Sequence, residues 1–205
     1  MRSRPEPAYS LVVACGAIAA PIADIVAARG WSADVRPLPP LLHNAPARIA
    51  AAVESAALPL AEHYGRVVVG YADCGTYGVL DEVCARHGWT RLAGLHCYDV
   101  FGGAGRVRRL FEDQPGTYVL TDFLVRSFQR SVQVELGLDR HPDLRDAYFG
   151  HYTRVVWLAQ QPDDELRRLA SDAAAQIGLP LTEIATGTTG LERALAAALA
   201  VEIAV

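Results

Sequence analysis

Short apolar runs that alternate with helical patterns constrain this chain more than any other feature of its sequence. The apolar runs are almost uninterrupted and rich in valine, leucine and alanine, as at residues 9–14, 66–71 and 154–159. Uninterrupted strands of this kind need cover on both faces, which a parallel sheet flanked by helices provides. The alternation therefore predicts an α/β fold with a doubly wound, mainly parallel sheet of the Rossmann-like type.

The pattern also predicts where the elements lie. The predicted strands are residues 9–14, 34–38, 66–71, 90–95, 117–121, 154–159 and 180–184. The predicted helices are residues 20–29, 46–63, 79–87, 105–113, 122–136, 163–177 and 191–200. A length of 205 residues suits one α/β domain over residues 1–205, with a candidate half-domain boundary or insertion near residues 137–152. If the strand order is the common 2-1-3-4, strands one, three and four are neighbours.

Charge and composition exclude several function classes. The net charge is −4, and the 19 basic residues are scattered arginines, so we expect no nucleic-acid partner. The absence of lysine from the sequence excludes a Schiff-base lysine and a P-loop lysine. No uncharged apolar run approaches the roughly 20 residues of a membrane span, so we expect no membrane partner and a cytoplasmic location. Cysteines stay reduced in that compartment, which favours metal or thiol chemistry over disulfides.

Three cysteines close or follow predicted strands. Cys15 follows the first strand, Cys74 the third and Cys97 the fourth. The carboxyl ends of parallel strands meet at one edge of a sheet, so the order 2-1-3-4 would bring these thiols together. Packing alone is the alternative reading, because free cysteine behaves as a small hydrophobe. Cys84 lies inside a predicted helix, where packing is the better explanation.

Polar residues and glycines accompany these cysteines. Asp73 and His43 are the candidate catalytic residues, and His96 is a candidate metal ligand beside Cys97. The candidate cofactor-binding glycines are Gly75, Gly102 and Gly103, where turns let the backbone approach a ligand. The sequence contains no local CxxC pair, so ligands would come from distant loops, as in catalytic or cofactor-holding sites.

Several short motifs resemble those of the family designated domain of unknown function 1638. The motifs are Ala14-Cys15-Gly16, Leu42-His43-Asn44, Gly70-Tyr71-Ala72-Asp73-Cys74-Gly75, Leu95-His96-Cys97-Tyr98, Pro115-Gly116-Thr117-Tyr118-Val119-Leu120-Thr121 and Gly150-His151-Tyr152-Thr153-Arg154. Many relatives read His-Asp-Cys where this chain reads His96-Cys97, so either residue could hold the equivalent role. Members of the family often occur beside corrinoid methyltransferase systems. The resemblance therefore implies methyl-, thiol- or one-carbon-related metabolism, with a corrinoid or methyltransferase protein as a candidate partner.

Taken together, these features predict a metal-binding protein, with zinc held by Cys15, Cys74, Cys97 and His96, that acts as an enzyme on a small molecule. One alternative is a metal or corrinoid accessory protein without turnover, and a second is an iron-sulfur protein with an open iron position. A third is a metal-free thiol enzyme with Cys74 as nucleophile and His96 or His43 as base. The sequence is also compatible with a homo-oligomer.

Overall fold

A computed structural model describes residues 9–202 of the chain. Its strands are β1 (Ser10–Ala14), β2 (Ala33–Pro37), β3 (Arg66–Gly70), β4 (Thr90–Arg91), β5 (Thr117–Thr121), β6 (Arg154–Ala159) and β7 (Leu181–Ala185). Its helices are α1 (Ala19–Arg29), α2 (Ile49–Ala61), α3 (Val79–His87), α4 (Cys97–Gly102), α5 (Ala104–Asp113), α6 (Asp122–Phe128), α7 (Arg145–Phe149), α8 (Asp164–Ile177) and α9 (Thr189–Leu199). A π-helical segment, Gln129–Val134, follows α6, and 3-10 segments cover Pro40–Asn44, Pro46–Arg48 and Pro142–Leu144.

The predicted α/β fold class is confirmed, with two all-parallel sheets flanked by helices. The first sheet has the order β2-β1-β3-β4, which is the 2-1-3-4 order that the cysteine argument assumed. The second sheet has the order β5-β6-β7, so the strands form two sheets where the sequence suggested one. No helix within residues 9–202 is long and apolar enough to cross a membrane.

The chain divides into two compact units. Within residues 9–202, the first unit contains the residues up to Val100 together with those from Leu191 onward, and the second contains Phe101–Gly190. The stretch near residues 137–152, where the sequence placed a candidate boundary, lies inside the second unit. The division follows the two sheets, since β1–β4 belong to the first unit and β5–β7 to the second.

The core of the first unit forms around β1, whose five residues are all buried between β2 and β3. Helices α1 and α2 contribute Ile22, Ile49 and Val53 to this core, each at 0% exposure. Parallel pairing aligns Ala14 with Gly70 at the carboxyl ends of β1 and β3. The two strand ends approach closely here, because a Cβ on Gly70 would lie 3.0 Å from the Ala14 Cα.

The hydrophobic core of the second unit is formed mainly by side chains of β6 and α8. Trp157 and Leu166 are fully buried in it, and Phe128 and Phe149 pack into the same cluster. The Asp122 carboxylate at the start of α6 accepts hydrogen bonds from the Trp157 indole N–H at 2.9 Å and from two backbone amides. These bonds fix the carboxyl end of β6 beside that of β5.

The fourth strand is much shorter than the sequence predicts. The prediction extends to residue 95, whereas β4 ends at Arg91. Gly94 has a φ of +115°, and this conformation turns the chain out of the strand. As a result, Cys97 does not close a strand but begins α4.

Gly16 tests the close packing beside β1. A Cβ at this position would lie 2.3 Å from the Leu38 carbonyl oxygen and 2.8 Å from the Pro40 nitrogen, both of them backbone atoms. We therefore expect Gly16→Ala to lower the free energy of unfolding by about 1–3 kcal/mol, as measured by urea denaturation. Gly105→Ala is the control, because Gly105 has helical backbone and room for a methyl group. Equal stability of the Gly16→Ala and wild-type proteins would contradict the packing described here.

Candidate functional site

Three cysteine thiols form one electrostatically coupled group in the first unit. Cys15 follows β1, Cys74 follows β3, and Cys97 begins α4. Burial and the neighbouring Cys15 thiol raise the pKa of Cys74 to about 11. Burial and then the Cys74 and Cys15 thiols raise the pKa of Cys97. We call Cys15, Cys74 and Cys97 the thiol cluster.

Each thiol of the cluster also has backbone donors near it. Burial raises the pKa of Cys15, while hydrogen bonding from the backbone of Ala17, the nearby Tyr71 hydroxyl and hydrogen bonding from the backbone of Ile18 act in the opposite direction. Ala17 and Ile18 lie just ahead of α1, so their amides belong to the entry of that helix. Donors of this kind favour a thiolate once a thiol has lost its proton.

The loop that carries Cys74 has a strained backbone. Cys74 has a φ of +51°, a left-handed conformation that non-glycine residues seldom adopt. Gly75 and Gly78 also have positive φ values, as does Tyr77. A non-glycine residue in such a conformation costs on the order of 1–3 kcal/mol and persists only when its surroundings hold it there. The strained backbone of Cys74, in addition to its place in the thiol cluster, indicates that this loop is functional.

Asp73 holds this loop in place. Its Oδ1 accepts hydrogen bonds from the Thr76 hydroxyl at 2.7 Å and the Gly78 amide at 3.0 Å, and its Oδ2 accepts one from the Tyr77 amide at 3.1 Å. Burial works to raise the pKa of Asp73, but these hydrogen bonds outweigh it and lower the pKa below its usual value. Both carboxylate oxygens are thus engaged within the loop, and a base at this position would have to give up these bonds.

A second loop, residues 92–96, is tied to the Cys74 loop. The Asp73 amide donates to the Gly94 carbonyl at 3.1 Å, and the Cys74 amide donates to the Leu95 carbonyl at 2.7 Å. The Asp99 carboxylate accepts a hydrogen bond from the Leu95 amide at 2.8 Å. These bonds continue the β3–β4 contact beyond the end of β4 and hold the start of α4 beside Cys74.

The two predicted histidines have different surroundings. His96 is exposed, and its ring stacks on Tyr98 with 5.9 Å between the centroids. His43 is half-buried in the 3-10 segment Pro40–Asn44, with Nδ1 2.8 Å from the Pro40 carbonyl oxygen. Burial lowers the pKa of His43, so its ring is neutral at neutral pH.

Tyr71 is a residue of the site that the sequence reasoning missed. It is 0% exposed, and its hydroxyl makes no hydrogen bond within the described part of the chain. Burial and the neighbouring Cys15 and Cys74 thiols raise the pKa of Tyr71. The signal that could have found it is the strand register, since Tyr71 follows Gly70 as Cys15 follows Ala14.

A cavity of about 400 Å³ lies beside the Cys74 loop. It is lined by Pro46, Ala47, Ala50, Gly75, Thr76, Tyr77 and Val79, among which there is no charged side chain. Tyr77 is 95% exposed at this cavity. Of the three glycines predicted to bind a cofactor, Gly75 lines the cavity, whereas Gly102 and Gly103 belong to the second unit.

Two further groups outside the thiol cluster are accounted for by packing. Cys84 is buried in α3, and its pKa is raised by burial and by Asp81 rather than by another thiol. In the second unit, Tyr152 packs edge-on against Tyr118 with 5.2 Å between the ring centroids, next to the exposed His151.

Metal-holding geometry is absent from the described side chains as they stand. Within residues 9–202, no group of three or more histidine, cysteine, aspartate or glutamate side chains is arranged to hold a metal ion. With raised pKa values, the cluster thiols are protonated at neutral pH. The predicted ligands Cys15, Cys74 and Cys97 are coupled, but they are not drawn into a coordination sphere.

Comparison with known proteins gives one match. A family model described as a protein of unknown function (DUF1638) matches residues 37–195. The matched segment contains Cys74 and Cys97, and Cys15 lies ahead of it. No curated protein and no solved structure matches the chain.

The raised pKa of Cys74 predicts slow alkylation of its thiol. Iodoacetamide reacts with the thiolate, so Cys74 in chelator-treated protein should react roughly ten- to a hundredfold more slowly at pH 8 than an ordinary thiol. The rate should rise with pH through a midpoint near 11. Peptide mass spectrometry measures both values, and the same protein unfolded in urea is the control. A midpoint at or below the ordinary value of 9.0 would contradict the assigned environment.

Proposed function

The chain belongs to the DUF1638 family, and from the residues of its first unit we propose that the thiol cluster binds a zinc ion and that the protein is an enzyme acting on a small molecule. The observation that carries this proposal is the placement of the three thiols: Cys15 and Cys74 follow the neighbouring strands β1 and β3, and the Cys74 amide donates to the Leu95 carbonyl, two residues before Cys97. Thiols gathered from distant loops are typical of catalytic or cofactor-holding sites, whereas structural zinc sites use local cysteine pairs.

The donor set fits a soft metal ion. Three thiolates suit zinc, which binds cysteine sulfur in a tetrahedral arrangement. The unpartnered hydroxyl of Tyr71 beside Cys15 supports the same conclusion, because it marks a place where the metal-free protein leaves a buried donor unused. Metal binding would replace the thiol protons, and the positive ion would offset the cost of holding thiolates in a desolvated site.

Three protein ligands would leave a fourth position for a substrate. The ion would supply a Lewis acid that lowers the pKa of a bound thiol or water, or polarises a carbonyl group. The chain's own part is to position this site. Asp73 holds the Cys74 loop through its bonds to Thr76, Tyr77 and Gly78, and the cavity beside Gly75 admits an uncharged group of a small molecule.

We propose that the enzyme takes part in methyl-, thiol- or one-carbon-related metabolism. Its compartment would be the reducing cytoplasm, where cysteines stay reduced. A non-catalytic accessory protein that binds the same metal, with a corrinoid or methyltransferase protein as partner, is the second candidate. The same three thiols favour it, and turnover separates the two. Metal retained without activity on methyl- or thiol-transfer substrates, together with a tight complex with a corrinoid protein, would select the accessory role.

Metal content tests the proposal directly. Protein purified anaerobically should contain about one zinc ion per chain by elemental analysis. Cys15→Ala, Cys74→Ala and Cys97→Ala should each lose most of it, because each removes one of three thiolate ligands. Cys84→Ala is the matched control, since Cys84 is equally a buried free cysteine but lies outside the thiol cluster.

Two outcomes would overturn the proposed zinc site. Full metal content in all three cluster variants would show that the ion binds elsewhere. Brown protein with iron, sulfide and an absorption band near roughly 400 nm would instead establish an iron-sulfur cluster on the same cysteines.

A further inference from the structure

We infer that Tyr71 is a positioning residue of the thiol cluster, whose hydroxyl donates a hydrogen bond to the Cys15 sulfur when that sulfur is a metal-bound thiolate. This inference rests on the proposed zinc site and deepens it. It assigns Tyr71 no contact with the metal or with a substrate.

Strand pairing sets Tyr71 beside Cys15. Ala14 pairs with Gly70 at the carboxyl ends of β1 and β3, and the Cys15 amide donates to the Gly70 carbonyl at 3.0 Å. Tyr71 and Cys15 therefore occupy the next step of the same register. The absent side chain of Gly70 permits this approach, because a Cβ there would meet Ala14 at 3.0 Å and Ile22 at 3.2 Å.

The Tyr71 hydroxyl lacks a partner although it is fully buried. A buried tyrosine hydroxyl usually has a hydrogen-bond partner. A hydroxyl without one has lost its hydrogen bonds to water and gained none in the protein, which destabilises the fold. Phenylalanine would fill the same space in an apolar strand end without that penalty. An unsatisfied hydroxyl at this position therefore points to a second state of the protein in which an acceptor is present.

The Cys15 sulfur is the acceptor that the structure offers. Among titratable groups, the Cys15 thiol has the largest influence on Tyr71, followed by the Cys74 thiol. A neutral thiol is a weak acceptor, whereas a thiolate accepts strong, charge-assisted hydrogen bonds. Because burial keeps the Tyr71 hydroxyl protonated, it can act as a donor throughout the working pH range.

The other donors at Cys15 support this assignment. Backbone hydrogen bonding at Ala17 and Ile18 already favours the Cys15 thiolate, and the nearby Tyr71 hydroxyl, which follows the neighbouring strand, acts in the same direction. Groups that hydrogen-bond to metal ligands orient them, and their removal typically weakens metal binding 10- to 100-fold.

Tyr71→Phe tests the inference through two effects of opposite sign. Since the hydroxyl is unpartnered in the metal-free protein, the chelator-treated variant should unfold at the same urea concentration as wild type or a higher one. Its zinc affinity, measured by competition with a chromophoric chelator, should fall about tenfold or more. A merely structural tyrosine would lose stability in the metal-free protein and leave zinc affinity unchanged.

Tyr64→Phe is the matched control. Tyr64 belongs to the same unit, and its hydroxyl donates to Asp34 at 2.7 Å on the exposed side of the molecule. This variant loses a formed hydrogen bond and should bind zinc as wild type does.

Cobalt substitution gives a second, spectroscopic readout. A hydrogen bond draws electron density from a thiolate, so its loss in Tyr71→Phe should move the sulfur-to-Co²⁺ charge-transfer band to longer wavelength. The band of Tyr64→Phe should match wild type.

The outcomes separate this inference from the proposed function. If wild type binds zinc and Tyr71→Phe binds it with equal affinity and an unmoved cobalt band, the inference is wrong and the zinc site stands. If wild type binds neither zinc nor Co²⁺, both fail. Reduced metal-free stability of Tyr71→Phe together with wild-type zinc affinity would identify Tyr71 as structural only.

Discussion

The parallel pairing of β1 with β3 is the interaction on which the candidate site depends. It places Cys15 one step beyond Ala14 and Tyr71 one step beyond Gly70, so a thiol and a hydroxyl meet where the two strands end. Gly70 permits this approach because a side chain there would strike Ala14. With the register shifted by one residue, the Cys15 and Tyr71 side chains would face opposite surfaces of the sheet and would not lie together.

A second set of constraints begins where the strands stop. The Cys74 loop takes a left-handed conformation at a non-glycine residue, and hydrogen bonds to Asp73 within the loop and to Gly94 and Leu95 in the neighbouring loop hold it there. Hydrogen bonds within the Cys74 loop and hydrogen bonds to the neighbouring loop together offset the free-energy cost of the strained backbone. The result is a thiol whose position is fixed before any ligand arrives, which is what a binding site requires.

Local pattern predicted much of this arrangement. Apolar runs and glycine stops located most strands and helices to within a few residues, and the helix Val79–His87 has the predicted bounds. The strand order of the first sheet is confirmed by the topology. The convergence of Cys15, Cys74 and Cys97 into one site stays a prediction. The early end of β4 escaped prediction, because apolar residues continue past Arg91 while the conformation of Gly94 turns the chain. The division into two sheets escaped it as well, since periodicity does not tell which strands pair.

The sequence by itself determined the α/β class, the elements and the positions of the cysteines, because apolar periodicity and glycine stops are local properties of the chain. Only the tertiary structure decided which side chains act together. It engaged the Asp73 carboxylate within its own loop, left the His96 ring exposed and stacked on Tyr98, and placed the buried Tyr71 hydroxyl beside Cys15. The physical reason is that strand register and hydrogen bonds between loops join residues far apart in the chain. The local sequence of a single segment does not predict either of them.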